Sequence, residues 1–212
     1  MVIMSLAGTQ HLYSSYTASI PHTHTYLWPP VFRQLAARPE IRTILDAGCG
    51  NGAFASALDD RGYQVFGIDL EESGVAIARE QRPSIPFEVS SVYDDLREPF
   101  DRTFDAIVAL EVIEHLYDPR RFVARAFEAL EPGGSLILST PYHGYLKNLA
   151  LAASGKLDQH FTALWDGGHI KFWSRKTLST LLEEAGFEVT AFEGAGRLPW
   201  LWMSMVMVGR RP

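Results

Sequence analysis

The chain has 212 residues, 47% of them hydrophobic and 21% charged, with a formal net charge of -6. That length suits one domain with a full hydrophobic core and leaves no room for separate cofactor and substrate domains of ordinary size. The acidic balance and the lack of any Lys/Arg block argue against a nucleic-acid partner, and the lone cysteine, Cys49, excludes an internal disulfide or a cysteine metal cluster within these residues.

The opening MVIMSLAG is apolar but has no basic start, so it does not read as a secretory signal. No apolar run reaches the ~20 residues that span a bilayer, and a soluble cytoplasmic protein is the expectation. Residues 1–40 read as an N-terminal lid or arm laid over the domain. Tyr16, Tyr26 and Trp28 are its candidate substrate contacts, and a helix is expected near Val31 to Arg38, after Pro29-Pro30. His22 and His24 have no Asp or Cys nearby to complete a metal site, and no metal is assigned.

Thr43-Ile44-Leu45 is a short apolar strand with Asp46 at its carboxyl end. Gly48, Gly50 and Gly52 follow in a tight turn that opens a helix over Ala53 to Asp60. Glycines there let the backbone approach a ligand without a Cβ in the way. The spacing Gly48-x-Gly50-x-x-Ala53, with Asp69 ending the next strand, matches the dinucleotide fingerprint of a nicotinamide oxidoreductase. The longer pattern Asp46-x-Gly48-x-Gly50-x-Gly52 instead resembles motif I of the class I methyltransferases that use S-adenosylmethionine. In that family the acid lies near the cationic methionine end of the cofactor, a place where it would repel a pyrophosphate.

The second strand, Tyr63 to Ile68, ends at Asp69, which the resemblance assigns to the cofactor ribose and which a helix-cap reading assigns to the stretch running to Glu80. Phe87 to Val89 is a brief third strand. The family commonly has an acid on the adenine amino group after it; Asp94 is preferred over Asp95, with Leu70, Val92 and Tyr93 alongside. Phe104 to Leu110 is continuously apolar after Asp105, as a buried parallel strand should be. The segment Glu111-Val112-Ile113-Glu114-His115 that follows resembles the branch containing the ubiquinone-pathway O-methyltransferases. Leu110 and Glu111 join Cys49 among the expected cofactor contacts. If residues 111–116 are helical, Glu111 and His115 share a face, and the carboxylate can orient the imidazole for proton transfer.

Asp118-Pro119 opens a helix that ends at Glu131-Pro132-Gly133-Gly134, and Ser135 to Ser139 is the fifth strand; LEPGGSLILSTP again resembles the same branch. Residues 141–173 exceed an ordinary connection and form a substrate-side insertion, with a short helix near Leu149 to Ala153. It supplies Tyr142, Trp165 and Trp173 as candidate substrate contacts. His143 and His169 stand with His115 as candidate general bases. His143, His160 and His169, with Asp158 and Asp166, are too loosely spaced to define a metal site. Ser174 caps the last helix, Phe187 to Phe192 is the sixth strand, and Leu201 to Gly209 is the seventh. Trp200, Trp202, Met203, Met205 and Met207 admit a second reading, as a membrane-facing patch for peripheral contact.

The resemblance implies an α/β doubly wound sheet of seven strands in the order 3-2-1-4-5-7-6, strand 7 antiparallel, with helices on both faces and the methyltransferase domain over 41–212. It implies S-adenosylmethionine as cofactor and an in-line methyl transfer to a small or lipid-like molecule, foremost to a phenolic or other hydroxyl oxygen. C- or N-methylation, cofactor binding without turnover, and the NAD-dependent oxidoreductase remain as alternatives.

Overall fold

Successive side chains of a strand point to opposite faces, so a strand with consecutive apolar residues must be covered on both sides. That is the case for β1 (Thr43–Ala47), β4 (Phe104–Leu110), β5 (Leu130–Pro141) and β7 (Ser204–Arg210), which are buried at consecutive positions. With β2 (Gln64–Asp69), β3 (Phe87–Val89) and β6 (Glu188–Ala195) they form one sheet in a computed structural model that describes residues 23–161, 163–165 and 168–212. The order is β3-β2-β1-β4-β5-β7-β6; β7 runs antiparallel to both its neighbours, and the other pairs are parallel. The expected sheet is the observed one.

The two faces sort the strand residues by parity. Ile44, Ala106, Val108, Ile137, Val206 and Val208 face α1 (His24–Ala36), α2 (Ala53–Asp59) and α3 (Glu72–Gln81). Leu45, Ile107, Ala109, Leu136, Leu138 and Met207 face α4 (Pro119–Ala129) and α7 (Arg175–Glu184). The buried stripe of α4 is Phe122, Val123, Ala126 and Ala129, and that of α7 is Leu178, Leu181 and Leu182. Each such large apolar side chain contributes ~1.5–3 kcal/mol by leaving water. Asp118 caps α4 by accepting from the Arg121 amide, and Ser174 forms a capping box with Thr177.

Several boundaries differ from expectation. α1 begins at His24, not near Val31, and carries Pro29 and Pro30 inside it. The prolines remove two helical donors, and burial of Leu27, Pro30, Val31 and Leu35 with stacking of Trp28 and Phe32 on Phe54 offsets the loss. α1 is therefore part of the domain's packed layer; residues 1–22, Tyr16 and His22 among them, lie outside the described residues. β5 starts at Leu130 because Leu130 pairs with Phe104 and Ser135 with Ala106, which makes 131–134 a bulge. The insertion holds α5 (Tyr145–Ala153) and α6 (Leu157–Phe161), so its first helix starts four residues early. Met205 and Met207 are fully buried in β7, whereas Leu198 and Trp200 are exposed beside it. Among the described residues no helix is long and apolar enough to cross a membrane.

Gly52 opens α2 with φ 75°, and a Cβ there would sit 2.7 Å from Ala78 Cβ and 2.9 Å from Phe87 Cζ. Gly52→Ala should cost about 2–4 kcal/mol, from the left-handed backbone and the overpacking together, measured by denaturant unfolding of the ligand-free protein.

Candidate functional site

The carboxyl ends of β1, β2 and β4 open into a cleft of about 2120 Å³, well beyond the ~300–1,000 Å³ of an ordinary small-molecule site. Its floor is the glycine turn. The Gly48 and Cys49 amides both donate to the Ile68 carbonyl, at 2.8 and 2.9 Å, and the Gly50 amide donates to Asp69 Oδ2 at 2.8 Å. The second Asp69 oxygen accepts from the Glu71 amide at 2.8 Å. A Cβ on Gly48 would lie 2.5 Å from Val112 Cγ2, so only glycine brings the chain across here. Cys49 is buried and burial raises its thiol's pKa, which makes it a packing residue with its amide engaged.

Asp46 is buried at the end of β1, and its Oδ2 has no hydrogen-bond partner. Burial first, and the nearby Asp69 second, push its carboxyl up to about 7. Asp69 is also raised, chiefly by burial, with the amide bonds from Glu71 and Gly50 opposing. Glu111 stands at the end of β4 with φ 56°, rare for a residue with a side chain. Its carboxylate accepts from Ser139 Oγ at 2.9 Å and Ser204 Oγ at 3.3 Å, while its amide donates to Ser139. Burial raises it to about 7 against those hydroxyls and the Lys147 charge.

The expected helix over 111–116 is only a single 3-10 turn, Ile113–His115. Glu111, in its left-handed conformation, precedes it, so Glu111 and His115 do not share a helical face. The acid beside the imidazoles is Glu114, fully buried, with neither carboxylate oxygen in a hydrogen bond. Burial and then Glu111 hold its carboxyl well above the usual range. His169 Nε2 lies 4.0 Å from Glu114 Oε1, the His115 and His169 rings are 5.0 Å apart, and Trp165 packs against both. His115 Nδ1 meets the Gly168 carbonyl at 3.2 Å. One ligand atom from each of Glu114, His115 and His169 lies within 4.8 Å of the others, a geometry that can hold a divalent cation. The fold thus joins His169 to His115 and Glu114, not to His143.

Of the expected site residues, Asp46, Gly48, Cys49, Gly50, Asp69, Leu70, Val92, Tyr93, Leu110, Glu111, Tyr26, Trp28, His115, Trp165 and His169 line the cleft. Gly52 sits behind the turn against α3. Asp94 points out beside Arg121, 3.8 Å away, while Ser91 takes a place on the wall. Tyr142 and Trp173 are core residues, because β5 and the insertion turn them under the cleft; Trp173 Nε1 donates to the Ile113 carbonyl. His143 is likewise buried among His160, Phe161 and Phe172, and burial lowers it to about 4. Asn51, within the glycine turn, and Lys147, Lys156 and His160, within the insertion, also border the cleft, as do Arg197, Met203 and Ser204, which only the three-dimensional fold brings there.

A methyltransferase domain family matches residues 21–191. The chain is 35% identical over 170 residues to a probable S-adenosylmethionine-dependent methyltransferase of Mycolicibacterium smegmatis, a match covering 78% of this chain and 61% of that protein. It is 31% identical over 160 residues to the ubiquinone biosynthesis O-methyltransferase of Thiobacillus denitrificans, covering 72% of this chain and 67% of that one. In fold it resembles a chain of the complex between the Haloferax volcanii Trm112 methyltransferase activator and the putative methyltransferase, with TM-score 0.70, 20% identity and coverage of 90% and 91%. The chain belongs to the class I S-adenosylmethionine-dependent methyltransferases. It spans about two thirds or less of the length of these curated relatives. The cofactor of the family suits the cleft, since the unpartnered Asp46 oxygen matches a cationic ligand. The NAD reading is set aside on the family match, and the same acid would repel a pyrophosphate.

Ser139 is the group that keeps Glu111 in place. Since burial raises Glu111 above its unfolded value, that residue's contribution to stability is present at low pH and lost as pH rises toward about 7. Ser139→Ala removes a donor to the carboxylate and raises Glu111 further. It should cost about 1–3 kcal/mol, and more at pH 8 than at pH 5.5, in denaturant unfolding.

Proposed function

We propose that the chain transfers the methyl group of S-adenosylmethionine to a hydroxyl oxygen, foremost a phenolic one, of a small-molecule acceptor. The observation that carries this reading is the His115–His169 pair at the cleft wall beyond the glycine turn. Burial first, then the His115, His160 and Lys147 charges, lower His169 to about 4, so it is a neutral imidazole near pH 7. In the bond to Gly168 the carbonyl can only accept, so His115 Nδ1 is the donor, which fixes how its ring sits against His169.

In this reading Asp69 receives the ribose hydroxyls on the lone pairs its amide bonds leave, and Ser91, Val92 and Tyr93 border the adenine. Asp46 and Glu111 face the methionine end. Bound S-adenosylmethionine supplies an electrophilic methyl on a cationic sulfur. The acceptor oxygen would form its bond to that carbon as the carbon–sulfur bond breaks, and the His115–His169 pair would take the hydroxyl proton. Alignment in the cleft supplies much of the rate. The 31% identity to a ubiquinone biosynthesis O-methyltransferase supports oxygen as the accepting atom. Glu114, with two buried oxygens lacking partners, favours a second reading of the same step, in which Glu114, His115 and His169 would hold a divalent cation whose Lewis acidity would lower the pKa of the acceptor hydroxyl.

Because Asp46 titrates near 7 and its anion attracts the cationic methionine, binding below that pH must release a proton. Calorimetry should therefore show S-adenosylmethionine affinity rising by up to ~10-fold per pH unit toward about 7 and levelling above it. Asp46→Asn should flatten that profile, and NAD should not bind. For the base, His115→Gln should lower the turnover of a phenol acceptor by ~10²–10⁴-fold while cofactor affinity is kept, and His143→Gln should do much less. Turnover that survives EDTA dialysis supports the imidazole base; loss restored by added Mg²⁺ or Zn²⁺ supports the cation.

A further inference from the structure

The acid groups of the cleft lie toward β1, β2 and β4, and its basic groups lie on the other half. Lys147, on α5, is buried, and among the described residues its Nζ has one hydrogen bond, to the Met203 carbonyl at 3.1 Å just before β7. An ammonium has three donors, so two remain available toward the cleft that Lys147 lines. Arg197, in the β6–β7 connection, and Lys156, after α5, line the same cleft, and no ion pair is formed by either among the described residues. Among the described residues Glu111 is the acid that offsets Lys147, and it is already held by Ser139 and Ser204. Burial and the Arg197 charge lower Lys147 to about 8, which leaves it mostly protonated at pH 7.

Burying an ammonium is costly unless its charge is matched, and Glu111, shared with two hydroxyls, answers one of the two cations at most. Apolar Leu151, Leu198, Leu201 and Met203 line the same cleft. We infer that Lys147 and Arg197 form an oxyanion subsite in the acceptor half of the cleft, so that the methyl acceptor is an amphiphile bearing a carboxylate or phosphate-type group on an apolar body. This rests on the methyltransferase reading. The subsite stands apart from the glycine turn: Lys147 is tied to the start of β7, whereas the turn, Asp46 and Asp69 sit at β1 and β2 with β4 and β5 between, and Glu111 at the end of β4 marks where the methionine end would meet it.

Three probes with one phenol body test it by calorimetry on the complex with S-adenosylhomocysteine: 4-hydroxyphenylacetate, 4-hydroxybenzylphosphonate and the uncharged 4-hydroxyphenylacetamide. Either anion should bind ~10-fold or more tightly than the amide, as a charge-assisted bond implies. The better of the two anions distinguishes a carboxylate acceptor from a phosphate one. Lys147→Met should abolish that preference and the exposed Arg197→Gln should reduce it, with S-adenosylhomocysteine affinity unchanged in both. Equal binding of anion and amide, no binding of either anion, or a preference intact in both variants overturns the subsite. Loss of S-adenosylhomocysteine affinity in Lys147→Met also overturns it, because the lysine then serves the cofactor. Failure of the unmodified protein to bind S-adenosylhomocysteine at all sinks the methyltransferase reading itself, and the subsite with it.

Discussion

The rest of this molecule depends on the clamp between the glycine turn and the end of β2. Two amides of the turn share the Ile68 carbonyl, and a third reaches the Asp69 carboxylate. Three left-handed glycines let the backbone reverse from β1 into α2 with its amides pointing at β2 and its other side against Val112. No side chain fits between these layers, so the position of the cleft floor is set by backbone contact. Because the turn is short, Asp46 and Asp69 are brought together at adjacent strand ends, and the turn that makes the cleft also charges it.

That charging has an energetic consequence. Burial is the larger cost of ionising Asp46 and Glu111, and the nearby Asp69 charge adds to it at Asp46. The ligand-free site answers by taking up protons: Asp46 and Glu111 both titrate near 7 instead of in the ordinary carboxylate range. A cationic ligand reverses the balance, because it gives the carboxylates a reason to ionise. The Ser139 and Ser204 hydroxyls do the same for Glu111 on a smaller scale, which explains how a buried acid tolerates a left-handed backbone at the end of a central strand.

The sheet was readable from sequence because its strands carry their own punctuation. β3 and β4 fall on their expected residues, Phe87–Val89 and Phe104–Leu110: β3 is a short apolar–polar–apolar stretch after Pro86, and β4 is apolar from Ala106 to Leu110. α1 was not readable across Pro29-Pro30: local backbone chemistry says stop, and only the tertiary packing of Leu27, Val31 and Leu35 says continue. The acid–imidazole pairing failed for a similar reason. A spacing of four residues joins side chains only if the backbone is helical, and φ at Glu111 is set by Ser139 on another strand. Asp94, Tyr142, Trp173 and His143 were right in neighbourhood but wrong in direction, which residue type alone does not encode. Lys147 and Arg197 carried no local signal at all, because their nearness to the cleft comes from how the insertion folds back on β7.

The two halves of the cleft are connected through the chemistry proposed for it. Lys147 and the neighbouring imidazoles oppose a proton on His169, which keeps a base in its neutral form but also disfavours the imidazolium that proton abstraction creates. Methyl transfer removes this difficulty as it proceeds, because the sulfonium becomes a neutral thioether while the imidazole gains its proton. Positive charge moves across the cleft, and its total does not change. Glu114 then has its use: a carboxyl raised by burial, 4.0 Å from His169 Nε2, is placed where its charge would offset that imidazole once protonated. An acid with no hydrogen bond in the resting structure is in this way the counter-charge for a state the resting structure does not hold.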